Sequence, residues 1–241
     1  MGEPQQALAY FKQALSLQRA VGAPRAMAIM LTNIGALHYR LGDAQQALDY
    51  YDQALPLRRE AGDRAGEAIT LTSIGAAHLS LGDPQRAMEY LKQALSLTEG
   101  GQSRPEEAQA LTALSAASSA LGSKQQALEY LHRALTLWRA IGEHRGESSA
   151  LIRMGRIYRE QGAPRLASQC LEEALRLARD IGETGSEAAA LADIARVEHD
   201  LGDLDQARTR IETALNLVET LRHTTFFCPT FFCWQNRNRK M

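Results

Sequence analysis

Residues 31–70, LTNIGALHYRLGDAQQALDYYDQALPLRREAGDRAGEAIT, contain the unit from which most of the chain is built. Glycine returns at one offset of this unit and alanine at two others, each time after 40 residues. The recurring residues are Gly2, Gly42, Gly82, Gly122, Gly162 and Gly202, with alanines such as Ala47, Ala87, Ala127, Ala167 and Ala207. A fixed period of about 20 to 50 residues is typical of solenoids and other repeat arrays. The sequence therefore predicts an array of similar units.

Each unit is predicted to hold two helices. From Met27 to Leu37 the apolar residues recur at spacings of three and four, which places them on one face of an α-helix. Gly42 suits the left-handed conformation that ends a helix, and Asp43 can cap the helix that follows. We call the first helix of a unit A-type and the second B-type. The short Gly-Asp turn between them predicts an antiparallel pair.

The predicted fold class is all-α, a right-handed α-solenoid (superhelix) of antiparallel helix pairs with eleven helices. The solenoid is predicted to span residues 1–222. Its parts are a half repeat at 2–24 and units at 25–63, 64–103, 104–143, 144–183 and 184–222. The pattern stops after Arg222, where HTTFFCPTFFCWQNRNRKM begins. We expect residues 223–241 to form an irregular, disordered tail.

The composition excludes several classes of partner. Lys and Arg total 27 against 28 Asp and Glu, a net charge of -1, so no basic field favours nucleic acid. No apolar run approaches the roughly 18 residues of a membrane span, and the first residues do not resemble a signal peptide. Three cysteines form neither a disulfide framework nor a zinc motif. We therefore expect a cytoplasmic protein that has no metal or cofactor.

The order of residues in the unit resembles the tetratricopeptide repeat. The resemblance is carried by Gly35, Leu41-Gly42-Asp43, Ala47, Tyr51 and Ala54-Leu55, and it covers residues 2 to 222. The unit is longer than the familiar repeat of about 34 residues. It is similar to the long-helix repeats of kinesin light chains and of G-protein-signalling modulators with GoLoco motifs. NIGALHYRLGD and QALPLRREAGDRAGEA most resemble bacterial arrays that precede a CHAT domain, a caspase-like peptidase module. No residues here match such a domain, so the resemblance supplies no catalytic residue.

In such arrays, the A-type residues that avoid the packing face are expected to line a concave groove. The candidate groove residues are Asn33, Tyr39, Arg153, Arg156, Arg159 and Arg196. Guanidinium groups pair with carboxylates, which predicts an acidic peptide as the ligand. In the alternative reading the arginines form a solvated charged face, with Glu160 paired to Arg156, and Asp193 and Asp200 paired to Arg196. His38 and His78 share one offset and are expected to be packing residues rather than metal ligands.

These features predict a non-enzymatic scaffold that binds a peptide or protein segment in its concave groove. One alternative is a sensor or regulatory segment detached from a CHAT-type peptidase effector. Another is an inert truncated fragment, because both ends of the array are incomplete and solenoids need polar caps. No nucleophile with a base, no carboxylate pair and no glycine-rich phosphate loop points to an enzyme.

Overall fold

The computed structural model describes residues 3–101 and 103–226, which are helical apart from short turns. In this part of the chain there are eleven α-helices: α1 (Glu3–Val21), α2 (Pro24–Arg40), α3 (Ala44–Glu60), α4 (Arg64–Ser80), α5 (Pro84–Thr98), α6 (Arg104–Ala120), α7 (Lys124–Ile141), α8 (His144–Glu160), α9 (Pro164–Asp180), α10 (Thr184–Leu201) and α11 (Leu204–Phe226). The A-type helices begin at residues 24, 64, 104, 144 and 184, so the period of 40 in the sequence is also the period of the fold. The predicted all-α fold of antiparallel helix pairs is confirmed.

The helices belong to two compact units. The first, residues 1–141, contains α1 to α7, and the second, residues 142–241, contains α8 to α11. In the first unit α2 packs on α3, α4 on α5 and α6 on α7, while α1 packs on α2. In the second unit α8 packs on α9 and α10 on α11. Within each unit a B-type helix also packs on the next A-type helix, as α9 does on α10.

The turn between α2 and α3 shows why each pair is antiparallel. Gly42 has φ +86°, a conformation that costs glycine little because it lacks a Cβ atom. Its N–H donates to the Tyr39 carbonyl (3.0 Å), and the Asp43 N–H donates to the His38 carbonyl (2.9 Å). The Asp43 carboxylate then accepts the N–H of Gln46 (3.2 Å) at the start of α3. Both helix ends are satisfied within three residues, as the Gly-Asp motif predicted.

Small residues let the helices of a pair approach closely. The alanines at the two recurring B-type offsets are buried in α3, α5, α7 and α9. Across the contact, a Cβ atom on Gly75 would lie 2.5 Å from Cγ of Leu91, and one on Gly155 would lie 2.5 Å from Cγ of Leu171. These offsets therefore serve packing, which is what the sequence predicted for the alanines.

The last described helix is longer than the repeat pattern suggests. Helix α11 continues to Phe226, whereas the sequence placed the end of the array at residue 222. No helix-breaking residue follows Arg222 until Pro229, so nothing local stops the helix there. The rest of the predicted irregular tail, residues 227–241, lies outside the described residues.

Candidate functional site

The four candidate arginines lie on two neighbouring A-type helices of the second unit. Arg153, Arg156 and Arg159 follow one another at three-residue spacing on α8, and Arg196 lies on α10. Arg156 and Arg196 are exposed, whereas Arg153 and Arg159 are partly buried. Residues three apart on a helix are rotated by about 300°, which is about 60° short of a full turn. The α8 arginines therefore share one side of the helix. We call this surface of α8 and α10 the arginine face.

A buried carboxylate holds two of these arginines together. The side chain of Asp193 is only 3% exposed. Its two oxygens accept hydrogen bonds from Nε of Arg156 (2.5 Å) and from Nη1 of Arg196 (2.5 Å). The carboxylate is stabilised by two cations, and in return it fixes the positions of both guanidinium groups.

The remaining ion pairs tie α8 to α10 along their length. Arg159 pairs with Asp200 (3.4 Å), and Arg145 pairs with Glu183 (3.4 Å) at the other end. Arg153 and Arg156 also border a small depression of about 260 Å³ that Glu183 and Ser186 close on the far side. Three cross-helix pairs therefore organise the arginine face.

The pairing differs from the one that the sequence suggested for a charged face. Arg156 bonds to Asp193 on α10, the next A-type helix, whereas the sequence suggested Glu160, on the same helix as Arg156, as its partner. Asp193 does pair with Arg196, as expected. Asp200 lies against Arg159 and, at 3.7 Å, against His199. Sequence reasoning missed Asp193 as the common centre because it considered only partners within one helix for Arg156.

The other two candidate residues lie in the first unit, on α2. Asn33 is partly buried and Tyr39 is exposed. Beside Asn33 in the chain, Thr32 approaches Thr70 of α4, with 3.5 Å between the hydroxyl oxygens. Burial raises the pKa of the nearby Tyr51 to about 12, against the opposing effect of a hydrogen bond with Ser73. Asn33 and Tyr39 therefore offer an amide and a phenol group on α2, in contrast to the guanidinium groups of the arginine face.

Two histidines of the first unit are packing residues, as the sequence predicted. The ring of His38 stacks on Tyr50 with centroids 5.3 Å apart, and His78 stacks on Tyr90 at 5.4 Å. Between α10 and α11 of the second unit, the residues at these two offsets are Glu198 and Arg210, which form an ion pair of 3.3 Å. Sequence reasoning missed this contact. At these two offsets the histidine and the tyrosine are replaced together by glutamate and arginine. This joint change was a signal in the sequence that could have revealed the ion pair.

Paired antiparallel helices repeated at a fixed period, with polar side chains on the A-type face, define a class of helical-repeat interaction proteins. Two family models, both described as tetratricopeptide repeat, match the chain. One matches residues 1–59, 26–100 and 103–180, and the other matches residues 152–215. The chain belongs to the tetratricopeptide-repeat family.

Solved structures share this fold at low sequence identity. BtubC (BKLC) from P. vanneervenii has a TM-score of 0.76 at 16% identity, covering 92% of this chain and 93% of that one. Tetratricopeptide-like repeats of a putative kinesin light chain from Podosopora anserina have a TM-score of 0.62 at 19% identity, covering 80% and 95%. A Rap protein complexed with Competence and Sporulation Factor has a TM-score of 0.71 at 16% identity, covering 88% and 64%. The comparison with curated proteins found no match.

Neither family model that matches is catalytic. Among residues 3–101 and 103–226, no helix combines the length and apolar character needed to cross a membrane. Within the same ranges, no group of three or more His, Cys, Asp or Glu side chains could hold a metal ion. Tetratricopeptide-repeat domains generally act as protein-interaction scaffolds. Membership of the family establishes this general role.

Proposed function

We propose that this protein is a non-enzymatic scaffold whose arginine face binds an acidic peptide or protein segment along the A-type helices. The observation that carries the proposal is the pair of guanidinium groups held by Asp193. Each guanidinium has five N–H donors, and the bonds to Asp193 use one nitrogen of each. The remaining donors of Arg156 and Arg196 lie on exposed side chains and suit the carboxylates of a ligand.

Preorganisation supports this role. An arginine side chain normally loses rotamer freedom when it binds a ligand, and that loss weakens binding. Here folding already removes part of this rotamer freedom, because a buried carboxylate orients both arginine side chains before any ligand binds. The Rap protein that shares the fold is itself complexed with Competence and Sporulation Factor. That complex supports a ligand-binding role for a fold of this kind.

The test needs a variant that preserves the net charge and the buried polar contacts. Alanine at both Arg156 and Arg196 is unsuitable, because it would leave Asp193 buried without a cation and destabilise α10. We therefore choose Arg156→Gln with Asp193→Asn, which removes one cation and one anion together. A matched control is Arg59→Gln with Glu67→Gln, which neutralises a similar cross-helix pair (2.7 Å) in the first unit.

Peptides selected by the parent protein from a random library should be enriched in Asp and Glu. We expect the binding of such a fluorescein-labelled peptide, followed by anisotropy, to weaken by about tenfold in Arg156→Gln with Asp193→Asn. The Arg59→Gln with Glu67→Gln variant should bind like the parent, and added salt should weaken parent binding. An unbiased selection, or equal affinities in the two variants, would contradict the proposal.

A further inference from the structure

The outer side of α11 exposes residues whose equivalents are buried elsewhere. Leu215 is 57% exposed, whereas Leu175, at the same offset of α9, is 2% exposed. Ile211 and Val218 are also exposed, and their α9 equivalents Leu171 and Ala178 are fully buried. Helix α9 packs on α10, the next A-type helix. Among the described residues no A-type helix follows α11 to cover this side of it, and we call this surface, with Ile211, Leu215 and Val218, the α11 edge.

The chain itself shows what this surface of a B-type helix contacts. Leu15 on α1 has the same offset as Leu215, and it is buried in a cluster with Ala28 and Leu31 of α2. The side of a B-type helix that contains Leu15 or its equivalents therefore binds the amphipathic A-type helix that follows. We call this binding surface the seat. On the α11 edge the seat is an open trough of about 550 Å³, with Ala195, Ala207 and Ile211 among its apolar lining residues.

The contact between α8 and α10 shows how charge positions a helix on such a seat. Arg156 and Arg159 of α8 pair with Asp193 and Asp200 of α10. Those two aspartates are seven residues apart, close to two helical turns, so they lie on one face. The residues 40 positions after the two arginines are Arg196 and His199, and both border the trough. The α11 edge thus repeats the arrangement that receives α10.

We infer that the α11 edge binds an amphipathic helix of a partner protein, with an apolar stripe flanked by two carboxylates seven residues apart. The stripe would cover Ile211 and Leu215, and the carboxylates would face Arg196 and His199. The α11 edge shares Arg196 with the arginine face. The inference itself rests on the exposed apolar residues Ile211 and Leu215 and does not depend on the acidic segment proposed for the arginine face.

The charge of the chain's own tail does not fit this seat. At the positions 40 residues after Asp193 and Asp200 the tail has Cys233 and Lys240, and it also carries Arg237 and Arg239. Asp200 and Glu212 also border the trough, and Glu212 pairs with Arg208 (3.0 Å), so the charge argument rests on Arg196 and His199. At the two positions that would face them, Cys233 supplies no charge and Lys240 supplies a cation where α10 has a carboxylate. An acidic partner helix has the complementary charge, and we therefore assign the edge to it.

A probe for the edge is available in this chain. A capped, fluorescein-labelled peptide with the sequence of residues 183–202, ETGSEAAALADIARVEHDLG, has the required apolar stripe and both aspartates. We expect saturable binding to the full chain in an anisotropy titration. A control peptide with Asp193→Lys and Asp200→Lys should bind about tenfold more weakly.

Protein variants locate the site. Leu215→Asp should weaken binding of the probe by about tenfold, since it places a charge in the apolar seat. Leu17→Asp is the matched control, because Leu17 is a similarly exposed leucine on α1 (66%), and it should change nothing. Circular dichroism should show both variants folded. Leu215→Asp should also leave the acidic-peptide binding of the arginine face intact, which separates the two proposals.

Several results would overturn the inference. Absence of saturable binding, equal binding of the two peptides, or parent-like binding by Leu215→Asp would each do so. If a peptide of residues 227–241 displaces the probe at lower concentration than unlabelled probe does, the tail is the occupant. If the protein sediments as a dimer that Leu215→Asp dissociates and the probe does not, a second copy of the chain occupies the edge.

Discussion

Asp63 in the first unit and Glu183 in the second occupy equivalent turns, each between a B-type helix and the A-type helix that follows. Asp63 accepts the N–H of Gly66 (3.1 Å), and Glu183 accepts the N–H of Ser186 (2.5 Å). Asp63 also pairs with Arg58, and both of these side chains are buried. The residue equivalent to Arg58 in the second unit is Ala178. Both turns therefore have a carboxylate that accepts a backbone N–H of the following helix, whereas only the first of the two has the buried ion pair.

The surroundings of Arg58 show how that pair is accommodated. A Cβ atom on Gly66 would lie 2.5 Å from Nη1 of Arg58, so glycine leaves the room that the guanidinium occupies. Arg58 Nε has no hydrogen-bond partner, which makes Asp63 its main source of compensation. Burial alone would raise the pKa of Asp63, but the Gly66 hydrogen bond and the Arg58 and Arg25 charges lower it below its usual value.

The largest expected effect comes from Asp63→Ala, which leaves a buried guanidinium without its partner. We expect a loss of about 3 to 5 kcal/mol in the free energy of unfolding. Because repeats contact mainly their neighbours, hydrogen exchange should rise first in α3 and α4. The control is the double variant Arg58→Ala with Asp63→Glu, which has the residue types of Ala178 and Glu183. It should lose less free energy of unfolding than Asp63→Ala does. Equal losses in the single and double variants would show that the buried pair is not the cause.

The same residue gives a pH dependence whose sign follows from its lowered pKa. The stabilisation by Asp63 is fully present above the unfolded pKa of about 3.9 and is lost as pH falls through the lower folded pKa. The difference between the parent and Asp63→Ala in urea unfolding should therefore be constant near neutral pH. It should shrink on acidification below about pH 4. A difference that grows on acidification would contradict the assignment.

A second difference between the units lies where the helices of a pair approach most closely. A Cβ atom on Gly35 would lie 2.5 Å from Cε1 of Tyr51, and one on Gly155 would lie 2.5 Å from Cγ of Leu171. The tyrosine ring is rigid, whereas the leucine can change rotamer. We expect Gly35→Ala to destabilise by about 1 to 3 kcal/mol, because overpacking exceeds the gain in helix propensity. Gly155→Ala should destabilise the protein less than Gly35→Ala, as measured by thermal unfolding. If Gly155→Ala destabilises more, Tyr51 moves more easily than its burial suggests.

Local patterns in the sequence predicted most of the fold. Gly42 and Asp43 marked a helix end and the next helix start, and the structure has both within hydrogen-bonding distance of the predicted backbone groups. The site was less predictable. Arg156 bonds to Asp193, 37 residues away on another helix, and helical periodicity carries no information about the lateral register of two helices. The sequence also did not predict the ion pair of Arg58 with Asp63, because an arginine near the end of a helix is expected to be exposed to solvent.

The smallest effect is expected for Glu183→Ala, which tests the cap of α10 without a buried cation. Its carboxylate accepts the Ser186 N–H and pairs with Arg145, whose side chain is mostly exposed. Losing an N-terminal cap costs about 0.5 to 2 kcal/mol, and the exposed pair adds little. The loss should therefore be clearly smaller than that of Asp63→Ala. Glu183→Asp should recover most of it, because aspartate is a good capping residue.

The pH dependence of Glu183 allows the cap to be recognised directly. Its pKa is lowered, first by the hydrogen bond with the Ser186 side chain, then, against the opposing effect of burial, by the Ser186 N–H and the Arg145 charge. The cap is therefore fully effective above the unfolded pKa of about 4.3 and weakens as pH falls through the lower folded value. Exchange of the Ser186 amide should be faster in Glu183→Ala than in the parent at neutral pH, with the ratio falling towards one in acid. If the ratio stays constant across that range, Ser186 is protected by the packing of α10 on α9, and the acceptor at this turn contributes little in the second unit.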